Sequence, residues 1–140
     1  MITRLSEEEA QALLRRLHLG HLGCLVQEQP YVVPINYFYD GACVYMHSLP
    51  GLKIAALRQN PRACLQVDEI SSPYKWYSVQ AFGVYEELLE DEERAHLLRR
   101  LLTHFPTLTP VESVLAQEGP HLPVIVFRLR IDRLQGLAET

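Results

Sequence analysis

Strand-like segments follow one another in this chain with few helices between them, and that order limits the fold more than any other feature. Residues 21–27 and 31–39 are rich in Val, Ile, Leu and Tyr and are separated by the polar Glu28-Gln29-Pro30. Asp40-Gly41 is a tight-turn signal, so 31–39 and 42–48 are predicted to pair as a hairpin. Residues 62–70 and 76–88 flank the turn-forming Ser71-Ser72-Pro73. Residues 123–134 close the set, with Ile125, Phe127, Leu129 and Ile131 alternating with Val126, Arg128 and Arg130. A period of two suits a sheet with one face on a core. A doubly wound parallel sheet needs a crossover helix after each strand, and this order does not provide them. The predicted architecture is mainly β with peripheral helices, a six-stranded antiparallel barrel built as a single domain over residues 1–140. Pro34 cannot donate to a ladder, which puts the 31–39 strand at an edge or a bulge.

The helices have clear start and stop signals. Ser6 and Glu9 match a capping box, and Leu13, Leu14 and Leu17 line one face of the helix that follows, which Gly20 and Gly23 end. Residues 50–58 read as a short helix stopped by Asn60-Pro61. Residues 91–105 give the clearest helix, with Leu97, Leu98, Leu101 and Leu102 on one side. Thr109-Pro110-Val111-Glu112 is a second capping box, opening a short helix toward Gly119.

Composition removes several function classes. Thirteen Lys and Arg stand against 17 Asp and Glu, a formal net charge of −4, so the positive field that nucleic-acid binding requires is missing. No apolar run reaches the about 18 residues of a membrane helix, and the first residues lack the basic and apolar regions of a signal peptide, so a cytoplasmic protein is expected. Cys24, Cys43 and Cys64 are an odd set inside apolar segments, which suits reduced core thiols. The acidic residues Glu86, Glu87 and Glu90 to Glu93 read as a strand end and a solvated helix start.

Residues 45–53, Tyr-Met-His-Ser-Leu-Pro-Gly-Leu-Lys, carry the first chemical signal. Lys53 falls in the first turn of the expected helix, the wrong sign for its dipole, and an external anion is one reason for such a placement. With Ser48 as the expected cap, the amides of Gly51, Leu52 and Lys53 converge beside His47, Ser48 and the ammonium, a donor set that a phosphate fits. The alternative is an ordinary capped helix with a solvated lysine. His18, His21 and Cys24 are metal-capable and spaced by three. They cross a helix-to-strand boundary and lack a second ligand pair, so they are expected to diverge and no metal is assigned. Asp68-Glu69 has no identified nucleophile or base, and there is no G-x-S-x-G elbow. Trp76-Tyr77-Ser78-Val79 either fills a sheet face or walls a planar ring, with Ser78 bonding the ring's polar edge.

Three blocks taken together, "PYVVPINYFYDGACVYMHS", "GLKIAALRQNPRACLQVDE" and "WYSVQAFGVYEELLEDEERAHLLRRL", resemble the flavin-binding split barrels related to pyridoxamine 5′-phosphate oxidase, especially the branch of nitroimidazole-resistance proteins. The likeness covers residues 15–105. It implies a split-barrel homodimer that binds FMN in clefts between subunits and acts as a flavin-dependent oxidoreductase on a small molecule such as a nitroaromatic or a quinone. A non-catalytic flavin carrier, or a haem- or F420-binding relative, is the alternative the family offers. By the same resemblance Val33, Pro34, Ile35 and Asn36 lie along the flavin ring, largely through backbone groups. Met46 and His47 match the pair at the end of the next strand, Lys53 a phosphate ligand, and Ser78 and Val79 the strand position at the ring's polar edge. The family's full oxidases have an arginine beside that lysine, where this chain has Leu52, and a C-terminal Arg-x-His signature that is missing here. Vitamin B6 oxidation is therefore not the expected activity.

Overall fold

The computed structural model describes residues 1–105 and 124–140. In chain order the elements are β1 (Ile2–Arg4), α1 (Glu7–Arg16), β2 (Leu19–Val26), β3 (Gln29–Asn36), β4 (Phe38–Tyr39), β5 (Cys43–Ser48), α2 (Leu52–Gln59), β6 (Arg62–Ser72), β7 (Lys75–Glu87), α3 (Asp91–His104) and β8 (Ile125–Glu139). All ladders are antiparallel, in the order β3-β2-β6-β7-β8-β5-β4 with β1 on β8. Because β3 runs into β4 through Tyr37, the two ends of that path are one stretch of chain, and the sheet curls into a barrel. The six predicted strands are all present. The larger number arises because the 31–39 strand breaks at Tyr37 and because the short β1, which carries no apolar alternation, joins β8. The capping box at Thr109 lies outside the described residues.

Inside and outside follow the strand period. Leu22 and Cys24, Leu65 and Val67, Val79, Ala81 and Tyr85, and Phe127 and Leu129 point into one core, with Val44 and Met46 of β5. Each fully buried leucine contributes about 1.5–3 kcal/mol relative to exposure. β5 is buried along its whole length because α3 covers its other side: Cys43 and Tyr45 pack with Leu97, Leu101 and Val126. α1 lies over one end of the barrel, burying Ala10, Leu13 and Leu14, and is tied there by the fully buried Tyr37, whose hydroxyl donates to the Leu14 carbonyl at 2.7 Å. The main chain turns inward at this point, which is why β3 and β4 are separate.

Local signals explain most turns. Asp40 Oδ1 accepts from the amides of Ala42 and Cys43 at 2.9 and 2.8 Å, and Gly41 adopts φ +104°, a conformation that suits glycine. β4 and β5 pair at Phe38↔Tyr45 and Tyr39↔Val44 only, so the predicted hairpin is real but short. The longer hairpin is β2 with β3, through Gln27 and Glu28, both at positive φ as in a primed turn. Neither is glycine or asparagine, so the sequence hides this turn. Pro30 and Pro34 sit in β3, which is hydrogen-bonded on one side only among the described residues, as an edge strand with proline requires.

One packing expectation needs correction. Cys64 is not a core thiol: Leu65 and Val67 take the inward positions of β6, which turns Cys64 to the outer face, half-buried. Glu86 and Glu87 form the expected strand end and are ion-paired there. The β7–β8 register places Glu86 opposite Arg128, which donates to it at 2.9 Å, Arg130 adds a second contact at 3.1 Å, and Glu87 pairs with Arg58 at 2.6 Å.

Candidate functional site

α2 begins without the devices that start the other helices. Its N-cap is Gly51, with no side-chain hydrogen bond, and its first turn contains no acidic residue but does contain Lys53. A Cβ placed on Gly51 would meet nothing within 4 Å, so the helix mouth opens onto free space. Ser48 does not cap this helix, contrary to expectation. It is buried at the end of β5, and its hydroxyl donates to the Leu49 carbonyl at 2.8 Å, because α2 begins at Leu52, two residues later than expected, which puts the cap position at Gly51. Leu52 is exposed at the mouth. Ile54, Ala56 and Leu57 anchor the helix in the barrel core. Lys53 lies near enough to Cys24 that its charge partly offsets the rise that burial imposes on the thiol pKa.

The other expected site residues divide between the two sides of the sheet. Ile35, Met46 and Val79 point inward and are buried, so their side chains are not presented on the outer face. His47 is buried on the side of β5 that Cys43 and Tyr45 also face. Pro34 is exposed, and Val33 and Asn36 are half-buried. Pro34 pairs with His21, and His21 with Gln66, so β3 and Ser78 of β7 stand on one sheet with β2 and β6 between them. The structure thus brings the β3 segment and Ser78 onto one sheet, and Met46, His47, Ser48, Leu52 and Lys53 onto one stretch around the start of α2.

The outer face has two halves. One is a groove of about 690 Å³ whose apolar lining includes Leu25, Val32, Ala63 and Phe82, with the Arg133 guanidinium 4.1 Å from the Phe82 ring centre and Arg62 paired to Asp132 at 2.6 Å. The other is a hollow of about 390 Å³ lined by Leu17, His18, Leu19, His21, Asn36, Asp68 and Phe105. His18 and His21 point their rings to this surface while Cys24 enters the core, so the three metal-capable residues diverge.

The family model described as pyridoxamine 5′-phosphate oxidase matches residues 6–137. The chain belongs to that family. It is 35% identical to uncharacterized protein RA0666 of Rhizobium meliloti (strain 1021), over 96% of this chain and 93% of the relative. The crystal structure of a FAD-binding protein from Mesorhizobium loti superposes with a TM-score of 0.77 at 32% identity, covering 100% of this chain and 98% of that one. A putative 5-nitroimidazole antibiotic resistance protein from Bacteroides thetaiotaomicron shares the fold, with a TM-score of 0.74 at 20% identity over 99% of this chain and 87% of that one. Membership in the family supports the split-barrel reading. No helix among the described residues is long and apolar enough to cross a membrane.

Within this family framework, sequence reasoning passed over Gln66 and left Asp68 without a partner. Gln66 Nε2 donates to Asp68 Oδ2 at 2.9 Å and to Ser78 Oγ at 3.1 Å, and its Oε1 lies 3.3 Å from His21 Nδ1. The available signal was parity: polar residues alternating with Leu65 and Val67 in a central strand must face outward, and a glutamine and aspartate there need partners.

Proposed function

We propose that this protein is an FMN-binding oxidoreductase that acts on a small molecule, as a homodimer whose clefts hold the cofactor. The observation that carries the reading is the α2 mouth, where a lysine, backbone amides without a side-chain cap and open space at Gly51 coincide. A phosphate there supplies the negative charge that the first turn lacks. Lys53 and the amides of Leu52 and Lys53 are assigned to that phosphate, beside the β5 end at Met46, His47 and Ser48. The unpaired edge of β3 offers the Pro34 carbonyl and the backbone groups of Asn36 along the ring, while Val33 and Ile35, whose own amides face β2, hold that edge in place. Ser78, whose oxygen already accepts from Gln66, keeps its hydroxyl hydrogen for an acceptor on the ring's polar edge, next to Val79. The bound flavin supplies one- and two-electron redox chemistry, and the chain's own residues bind it, orient it and exclude water.

A second copy is seated on the apolar half of the outer face, where Val32 and Leu25 are 62% and 38% exposed. That arrangement leaves the polar half open beside the β3 edge. Three cysteines without disulfides agree with a cytoplasmic setting. The 32% relative that binds FAD makes the choice of flavin the first test. Protein purified as the full chain is denatured and the released chromophore identified by chromatography, with about one FMN per chain and a dimeric mass in light scattering expected. Release of FAD replaces FMN in the reading, and a colourless chain that takes up no added flavin overturns it.

A further inference from the structure

The network centred on Gln66 fixes where protons sit on the outer face. Asp68, as a carboxylate, only accepts, so the amide end of Gln66 must face it and the carbonyl end must face His21. A carbonyl oxygen also only accepts. His21 Nδ1 therefore carries hydrogen, and in the neutral ring Nε2 is left as a base. His21 is exposed and lines the hollow with Asn36 of the proposed flavin strand, while the other end of the same glutamine reaches Ser78. One side chain thus couples the position assigned to the flavin edge to an imidazole with a fixed tautomer.

We infer that His21 is the proton-transfer residue for the molecule that occupies this hollow, with Gln66 and Asp68 as its positioning residues. The inference rests on the flavin reading above. The walls supplied by Leu17, Leu19 and Phe105 fit a small flat ring, and His21 addresses a polar atom on it. The substrate class is a planar two-electron acceptor of quinone type, whose oxygen takes up a proton as the ring is reduced. In that step the Nε2–H bond of protonated His21 breaks, the O–H bond of the product forms and neutral imidazole remains, to be reprotonated from water. The two electrons and the second hydrogen come together from reduced flavin as hydride, leaving oxidised flavin and the hydroquinone. The titratable groups around His21 are His18 from the α1–β2 connection, Asp68 from β6, and His104 of α3, whose ring stacks on His18 with centroids 5.5 Å apart.

Two measurements on the full chain test this. In ¹⁵N-labelled protein at mildly alkaline pH, the ring resonance lost in a His21→Asn variant should report the Nδ1–H tautomer, and Gln66→Met should shift it toward Nε2–H. An Nε2–H tautomer in the wild type overturns the arrangement. In flavin-loaded protein, His21→Asn should lower turnover with a quinone acceptor about a hundredfold, the scale of general acid catalysis. Reduction of ferricyanide, which takes electrons without a proton, should change less than about twofold on the same basis. Equal losses with both acceptors, or none with the quinone, overturn the role while leaving flavin binding intact. A wild-type chain that takes up no flavin overturns the preceding reading and this one with it.

Discussion

Helices α1 and α2 start in opposite ways. At α1, Ser6 Oγ accepts from the Glu9 amide and Glu9 Oε1 from the Ser6 amide, both at 3.1 Å, and Glu7, Glu8 and Glu9 fill the first turn. The chain itself satisfies the amides and supplies the negative charge. At α2 there is no side-chain cap and no acid, and a lysine occupies the first turn. α3 follows the α1 pattern in charge, with Asp91, Glu92 and Glu93. A helix mouth that departs from its neighbours in cap and sign is where an outside anion has a physical role.

The comparison can be broken most directly at Lys53. Lys53→Glu is expected to weaken FMN binding by about 3 kcal/mol or more, over a hundredfold, and Lys53→Ala by about 1.5–3 kcal/mol, read by titrating stripped protein with FMN. Unchanged affinity in both variants would end the phosphate assignment. Leu52→Arg sharpens the contrast from the other side: an exposed position gains a forked cation, and binding should tighten by about 1.5 kcal/mol in the same titration. Ser6→Ala acts on the internal cap alone, lowering stability by about 1 kcal/mol in denaturant unfolding and leaving FMN affinity as it was.

Acid titration tests the same cap. The hydrogen bonds from Ser6 hold the Glu9 pKa below its ordinary value of 4.5. A lowered folded-state pKa means stability that is complete above the unfolded value and lost as pH falls through the folded one, and Glu9→Gln, which removes the titrating group, should flatten this loss below pH 4.5. The smallest stability effect belongs to Gly51→Asp, which gives α2 the cap it lacks. The gain should be only about a few tenths of a kcal/mol, because glycine is already tolerated at an N-cap, but the new carboxylate should weaken FMN binding. A variant that binds FMN as well as the wild type would show that the mouth does not hold the phosphate.

Much of the fold was legible because its signals are local. The Ser6 capping box, the Asp40-Gly41 turn, the stop at Asn60-Pro61 and the leucine face of α3 each depend on neighbours a few residues away. Pro34 correctly marked an edge strand. The candidate site was less legible. Ser48 is not a cap because α2 starts at Leu52, with Gly51 in the cap position, while Ser48 stays buried at the end of β5. The face of Cys64 and the arginine partners of Glu86 were not legible, because apolar neighbours and charge runs do not report which face or which partner a strand residue receives.

Sequence alone determined the succession of antiparallel strands, the family likeness and the inverted charge at the α2 mouth, since all three are written in residue order and short spacing. Only the tertiary structure decided that His21, Gln66, Asp68 and Ser78 meet. Alternation assigns a residue to the inside or the outside of a strand. Which outward residues face each other across three strands depends on a register that closure of the whole barrel sets.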